Sequence, residues 1–140
     1  MTCNALTCLP FALLLLASPV LAGDLQVHLD GIRVQTGTVR LALVDGPAGW
    51  EGKAPPVQAQ ALTPSGDSAQ AVFKNLPAGE YAVLVTHDEN GNGQLDTNVL
   101  GMPIEGYGFS NNPRVQRKPT FEEARVQVPA DGSAINISLR

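Results

Sequence analysis

Cysteine is almost missing from this sequence, and so are clusters of basic residues. The only two cysteines, Cys3 and Cys8, lie near the N-terminus, so residues 23–140 contain no disulfide, no thiol nucleophile and no cysteine-ligated zinc site. The 9 basic residues are interleaved with 13 acidic ones, and no basic block points to nucleic acid or to a membrane surface. A chain of this kind must rest on its hydrophobic core, with or without help from a bound ion.

The N-terminal segment has the pattern of a cleaved signal peptide. The apolar run 9–21 is shorter than the ~20 residues that a membrane-spanning helix needs, and it ends in small residues before a cleavage position after Ala22. No Lys or Arg precedes the run, which departs from the usual pattern, and a buried N-terminal helix is the alternative. We expect a signal peptide at 1–22, one domain at 23–140, and a periplasmic or secreted protein without a membrane span.

Alternation of apolar and polar residues predicts strands along most of the remaining chain. The clear segments are 25–29, 39–44, 81–87, 124–128 and 135–139, and the weaker ones are 57–62 and 69–76. No segment after residue 22 keeps a helical period over ten or more residues. The pattern therefore predicts an all-β protein, a single antiparallel β-sandwich of about seven strands with a long loop at 88–119. Tyr81, Val83 and Val85 are expected to face its core.

The segment HDENGNGQLD, residues 87–96, has the spacing of a calcium-binding loop. The candidate ligands occupy positions one, three, five, seven and nine, and they are Asp88, Asn90, Asn92, Gln94 and Asp96. Gly93 stands at position six, where an EF-hand loop turns sharply. Position twelve is Val99, which cannot supply a carboxylate, so Glu105 or Asn98 would have to complete the shell. We expect weak calcium binding, with a dissociation constant on the order of 0.1–1 mM.

Two other interpretations of this segment stay open. Asn90-Gly91 and Asn92-Gly93 are strong turn dipeptides, so the segment could be a turn that binds no metal. Alternatively, His87, Asp88 and Glu105 could form the site of a small metal-dependent hydrolase. The chain contains no recognised hydrolase, zinc-protease or phosphate-loop motif.

A glycine-rich segment follows at 101–113 and contains Glu105, Tyr107 and Phe109. These three residues form a possible ligand loop for a glycan or a peptide. The aromatic rings could equally fold back as a lid over one end of the sandwich, because aromatic side chains in such loops usually bury themselves.

Two stretches of the sequence resemble known families. LPAGEYAVLV, residues 76–85, resembles the entry to a central strand in transthyretin-like and carboxypeptidase-regulatory-like sandwiches. The longer string HDENGNGQLDTNVLGMPIEGYGFSNN, residues 87–112, resembles the exported bacterial proteins of domain-of-unknown-function family 2141. The resemblance implies a secreted or periplasmic β-sandwich and no established activity. We therefore expect a non-enzymatic, calcium-stabilised module, used for binding or structure in the cell envelope, with an envelope protein or a glycan as partner.

Overall fold

The computed structural model describes residue 19 and residues 21–140. The predicted signal peptide lies almost wholly outside these described residues. Within them the chain forms eight strands and two four-residue helices, in the order β1 Ala22–Asp30, β2 Thr38–Val44, α1 Pro47–Trp50, β3 Gln58–Leu62, β4 Ser68–Pro77, β5 Gly79–Asp88, β6 Tyr107–Phe109, α2 Phe121–Ala124, β7 Val126–Val128 and β8 Ser133–Ser138. In this described part, no helix has both the length and the apolar character needed to cross a bilayer.

The strands form two sheets, which confirms the all-β class. The first sheet has the order β4-β1-β8, and the second has the order β3-β2-β5-β6, with β7 also paired to β5. The prediction of about seven antiparallel strands was wrong in two respects. An eighth strand, β6, lies inside the predicted loop 88–119, and β1 pairs with β8 in parallel. A three-residue strand is too short to show alternation, and alternation carries no information on strand direction.

The apolar faces of the two sheets share one hydrophobic cluster. The largest fully buried side chains include Phe73, Leu25, Leu29, Leu41, Leu43, Leu76 and Ile137. Tyr81, Val83 and Val85 belong to the same cluster, so the predicted inward face of β5 is confirmed. Burial of this kind contributes about 1.5–3 kcal/mol for each large aliphatic side chain, so the cluster is the main source of stability.

A second, smaller cluster covers part of the outer face of the five-stranded sheet. It is built on Trp50 and Phe109, and α2 adds Phe121 and Ala124. The Trp50 indole N–H donates to the Pro119 carbonyl oxygen at 2.7 Å, which holds the segment before α2 against the sheet. The outer face of β5 is therefore packed at one end, and the other end faces the loop that follows Asp88.

Candidate functional site

His87 and Asp88 end β5 and point to opposite sides of the sheet. The His87 side chain is fully buried, and its Nε2 lies 2.8 Å from the Thr36 carbonyl oxygen, so Nε2 carries the proton and donates it. Its main-chain N–H donates to the Gly106 carbonyl oxygen at 2.7 Å. His87 Nδ1 is buried and has no hydrogen-bond partner among the described residues. The imidazole thus faces the interior and lies apart from the polar side chains of the loop.

The loop curls around the Asp88 carboxylate. Asp88 is 3% exposed. Its two oxygens accept hydrogen bonds from the main-chain N–H groups of Asn92, at 3.1 Å, and Gly93, at 2.8 Å. The curl requires left-handed backbone at Gly91 (φ 76°) and Gly93 (φ 82°), which glycine adopts without steric cost. The Arg40 guanidinium lies 3.5 Å from Asp88 Oδ2 and also donates to the Gly93 carbonyl oxygen at 3.3 Å.

Three of the other predicted ligands meet above this curl. The side-chain amides of Asn90 and Asn92 each donate to one oxygen of Asp96, the second at 2.8 Å. The amide oxygens of the same two asparagines accept from the main-chain N–H groups of Asn92 and Gln94, at 3.0 and 2.9 Å. The Gln94 side chain is exposed, and the main-chain carbonyl of Gln94 is the ligand that the spacing predicts. The structure therefore brings Asn90, Asn92 and Asp96 together directly.

The donor chemistry of this loop fits calcium better than a transition metal. Within the described part of the chain, no three His, Cys, Asp or Glu side chains are grouped so that they could hold a metal ion. The oxygens come instead from two carboxylates, Asp88 and Asp96, and two amides, Asn90 and Asn92, and such hard oxygens suit calcium. The amides turn their nitrogens toward Asp96, and a half-turn of each amide group would present oxygen in their place but would give up its hydrogen bond from the main-chain N–H of Asn92 or Gln94. Arg40 already places a positive charge at the site and would compete with a cation.

Glu105 holds the loop closed. It is 5% exposed, and its Oε1 accepts hydrogen bonds from the main-chain N–H groups of Glu89, at 2.9 Å, and Asn90, at 3.3 Å. Its Oε2 accepts from the main-chain N–H of Asp96 at 2.9 Å. One carboxylate therefore joins the start of the loop to its end. The sequence suggested Glu105 as a metal or ligand contact, and the structure places it under the loop as a main-chain acceptor.

Asn98, the other residue suggested for the metal shell, organises the next turn. Its side-chain oxygen accepts from the main-chain N–H groups of Leu100, at 2.9 Å, and Met102, at 3.1 Å. This turn carries Val99 and Leu100 at its tip, and Leu100 is 82% exposed. The segment after the loop is thus an ordered turn with apolar side chains at its tip.

Tyr107 and Phe109 lie on the outer face of the five-stranded sheet. β6 pairs with β5 so that Tyr107 stands opposite Thr86 and Phe109 opposite Leu84. The Phe109 ring is buried, with its centroid 5.8 Å from that of Trp50, on the outer face of the sheet rather than over an end of it. Tyr107 is only partly buried and lines an open cavity. The two aromatic residues therefore have different surroundings.

The cavity beside Tyr107 has a volume of about 750 Å³. Leu84, Met102 and Lys118 also line it, and none of these residues was singled out from the sequence. They come from a strand, a turn and an irregular segment that lie far apart along the chain. No local pattern could have brought them together, because only the β5–β6 pairing and the packing of the segment before α2 place them side by side.

The comparisons with known proteins identify one family. A family model described as "Uncharacterized protein conserved in bacteria (DUF2141)" matches residues 27–136. This range runs from β1 to β8 and includes the whole loop and every residue that lines the cavity except Arg140. A search of curated proteins and a search of solved structures each found no match.

Proposed function

Because the chain belongs to this bacterial family, DUF2141, we propose that it is an exported, non-enzymatic β-sandwich module. In this proposal the 88–96 loop binds one calcium ion, and the module serves binding or structure in the cell envelope. The observation that carries the calcium proposal is the convergence of the Asn90, Asn92 and Asp96 side chains above the buried Asp88 carboxylate. Calcium would replace amide N–H contacts to Asp96 with oxygen contacts to the ion.

The charges around the loop favour weak binding. Only Asp88 and Asp96 supply carboxylates, and the guanidinium of Arg40 lies 3.5 Å from an Asp88 oxygen. Calcium sites with few charged ligands on extracellular modules bind with dissociation constants on the order of 0.1–1 mM. Such a site is filled where free calcium reaches millimolar levels, so it suits an exported protein.

Thermal melting tests the calcium proposal. An ion that binds only the folded state stabilises it by RT ln(1 + [L]/Kd), so calcium at ten times Kd adds about 1.4 kcal/mol. For a domain of this size the expected rise in Tm is several degrees. Magnesium is expected to do less, because it demands a tighter octahedral shell and gives up water reluctantly. The measurement is Tm in chelator, in millimolar calcium and in millimolar magnesium; equal Tm values in all three contradict the proposal.

Two variants sharpen this test. Asp96→Asn keeps the size of the side chain and removes one ligand charge, so the calcium-dependent rise in Tm is expected to disappear. Arg40→Gln removes the competing cation, so half-maximal stabilisation is expected at a lower calcium concentration. Asp131→Asn, an exposed carboxylate in the β7–β8 turn, is the matched control and should leave the calcium response unchanged.

The geometry favours the non-enzymatic proposal over a hydrolase built on His87, Asp88 and Glu105. The His87 Nε2 proton is already donated in a hydrogen bond to the Thr36 carbonyl oxygen. The oxygens of Asp88 and Glu105 accept main-chain N–H groups of the loop. A general base needs a free lone pair that can reach a substrate proton, and the free lone pair of His87, on Nδ1, is fully buried.

Export is the other part of the proposal. It is supported by the apolar run 9–21 and the small residues before Gly23. Protein purified from its native host is expected to begin at or near Gly23 by N-terminal sequencing. If most of that material begins at Met1 or Thr2, the chain is not processed and this part of the proposal is wrong.

A further inference from the structure

The 750 Å³ cavity is a groove on the outer face of the five-stranded sheet. Its floor is formed by Leu84 of β5 and Tyr107 of β6, and Met102 forms one wall. Leu84 and Tyr107 are only partly buried, and Met102 is 48% exposed. Apolar grooves of 300–1,000 Å³ with a few polar groups are the usual form of small-molecule sites. The groove thus has the size and the lining of a ligand site.

Its opposite wall carries positively charged side chains, one of which, Lys118, also interacts with the Glu51 carboxylate outside the groove. Lys118 and Arg140 line the groove, and neither belongs to an ion pair among the described residues. The Lys118 ammonium donates to the Trp50 carbonyl oxygen and lies 5.1 Å from the centroid of that indole. The Arg140 guanidinium lies 5.5 Å from the Tyr107 ring centroid. Each cation is therefore held against an aromatic ring, Lys118 at Trp50 and Arg140 at Tyr107.

Arg117 also lines the groove, but its charge is paired. Its guanidinium makes two hydrogen bonds to the Glu123 carboxylate, at 2.8 and 2.9 Å, and so its charge is already paired. The same contact, with the main-chain N–H of Thr120, lowers the pKa of the Glu123 carboxyl to about 2. No Asp or Glu lines the groove itself. Among the described residues, the side chains that line the groove therefore carry positive charges and no negative one.

We infer that this groove binds an anionic amphiphile, a small molecule with one carboxylate head and an unbranched apolar chain. The carboxylate would contact Lys118 and Arg140, and the chain would lie over Leu84 and Tyr107 against Met102. The inference rests on the proposed binding role of the module and is independent of calcium. It names a ligand class that fits both the charge at one wall and the apolar floor of the groove.

The single tryptophan reports directly on this site. The head group would draw the Lys118 ammonium away from the Trp50 ring, and so Trp50 fluorescence should change on binding. Dodecanoate is expected to give a saturable change below its micelle concentration. Acetate, which lacks the chain, and dodecyltrimethylammonium, which reverses the charge, should give none. A flat titration with dodecanoate, or an equal response to the cationic amphiphile, overturns the inference.

Two variants locate the site. Lys118→Gln removes a charged hydrogen-bond donor and is expected to weaken dodecanoate binding about tenfold. Met102→Ser shortens the side chain that forms one wall of the groove and should also weaken dodecanoate binding. Lys74→Gln, on exposed Lys74 of β4 in the other sheet, is the matched control and should bind as the wild type does. Because Lys118→Gln also changes the surroundings of Trp50, calorimetric titration measures its affinity, and an unchanged affinity contradicts the inference.

The two proposals fail separately. Dodecanoate is titrated in chelator, because millimolar calcium precipitates long-chain carboxylates, and the calcium-dependent Tm is measured separately without dodecanoate. A saturable titration with no calcium-dependent rise in Tm overturns the calcium proposal alone. A calcium-dependent rise with no dodecanoate binding overturns the groove inference alone.

Discussion

Gly37→Ala is expected to lower the free energy of unfolding by about 2–5 kcal/mol, through left-handed backbone strain and overpacking. Gly37 has φ 74°, and a Cβ built there would lie 1.8 Å from the Asp88 carbonyl oxygen. No side chain rearrangement can relieve this contact, because the obstructing atom belongs to the backbone. The methyl group must push apart the turn before β2 and the start of the loop, so the calcium response should weaken as well.

Gly52→Ala is the matched control for this substitution. Gly52 also has φ 74°, but nothing lies within 4 Å of a Cβ built there. Gly52→Ala should therefore lower the free energy of unfolding only by the left-handed strain, about 1–2 kcal/mol. Urea denaturation of both variants measures the difference. Equal losses would mean that the close approach of Gly37 to Asp88 does not exist in solution.

Glu105→Ala is expected to lower the free energy of unfolding by about 2–4 kcal/mol, the second large loss. A buried donor left without a partner costs about 1–3 kcal/mol, and water relieves some of that cost. The carboxylate is the acceptor for the main-chain N–H groups of Glu89, Asn90 and Asp96. Glu105→Gln should fall between the wild type and Glu105→Ala, because it keeps one acceptor oxygen and adds a donor beside other donors.

Glu122→Ala serves as the control for Glu105. The Glu122 side chain is 61% exposed and pairs with Arg125 on the surface, which is worth about 0–1 kcal/mol. Amide hydrogen exchange adds a local measurement, since the N–H groups of Asn90 and Asp96 should lose protection in Glu105→Ala. Unchanged protection there would show that Glu105 does not close the loop.

Local features of the site could be predicted from the sequence. The ladder of Asn90, Asn92 and Asp96 spans few residues, and glycines at 91 and 93 permit a tight curl, so the local sequence is enough to predict that these side chains meet. The spacing predicted Asp88 only as a calcium ligand. In the structure it is also the acceptor that shapes the curl. Any substitution of Asp88 therefore changes the fold of the loop along with its charge.

Features that depend on distant segments could not be predicted. Glu105 reaches the loop across 15 or 16 residues, and its burial follows from β6 pairing with β5. The parallel contact of β8 with β1 leaves no trace in the alternation of either strand. Leu84 and Lys118 line one groove because the second cluster packs against Trp50. These features are consequences of tertiary packing. They could not be predicted because periodicity and turn chemistry report only on local structure.

A calcium-binding titration of the folded protein tests the central claim most directly. Calorimetry or equilibrium dialysis should find one calcium ion per chain, with a dissociation constant on the order of 0.1–1 mM. Asp96→Asn should abolish the binding, and Arg40→Gln should tighten it. If the protein binds no calcium over this range, or if Asp96→Asn binds it as tightly as the wild type, then the 88–96 loop is not a calcium site.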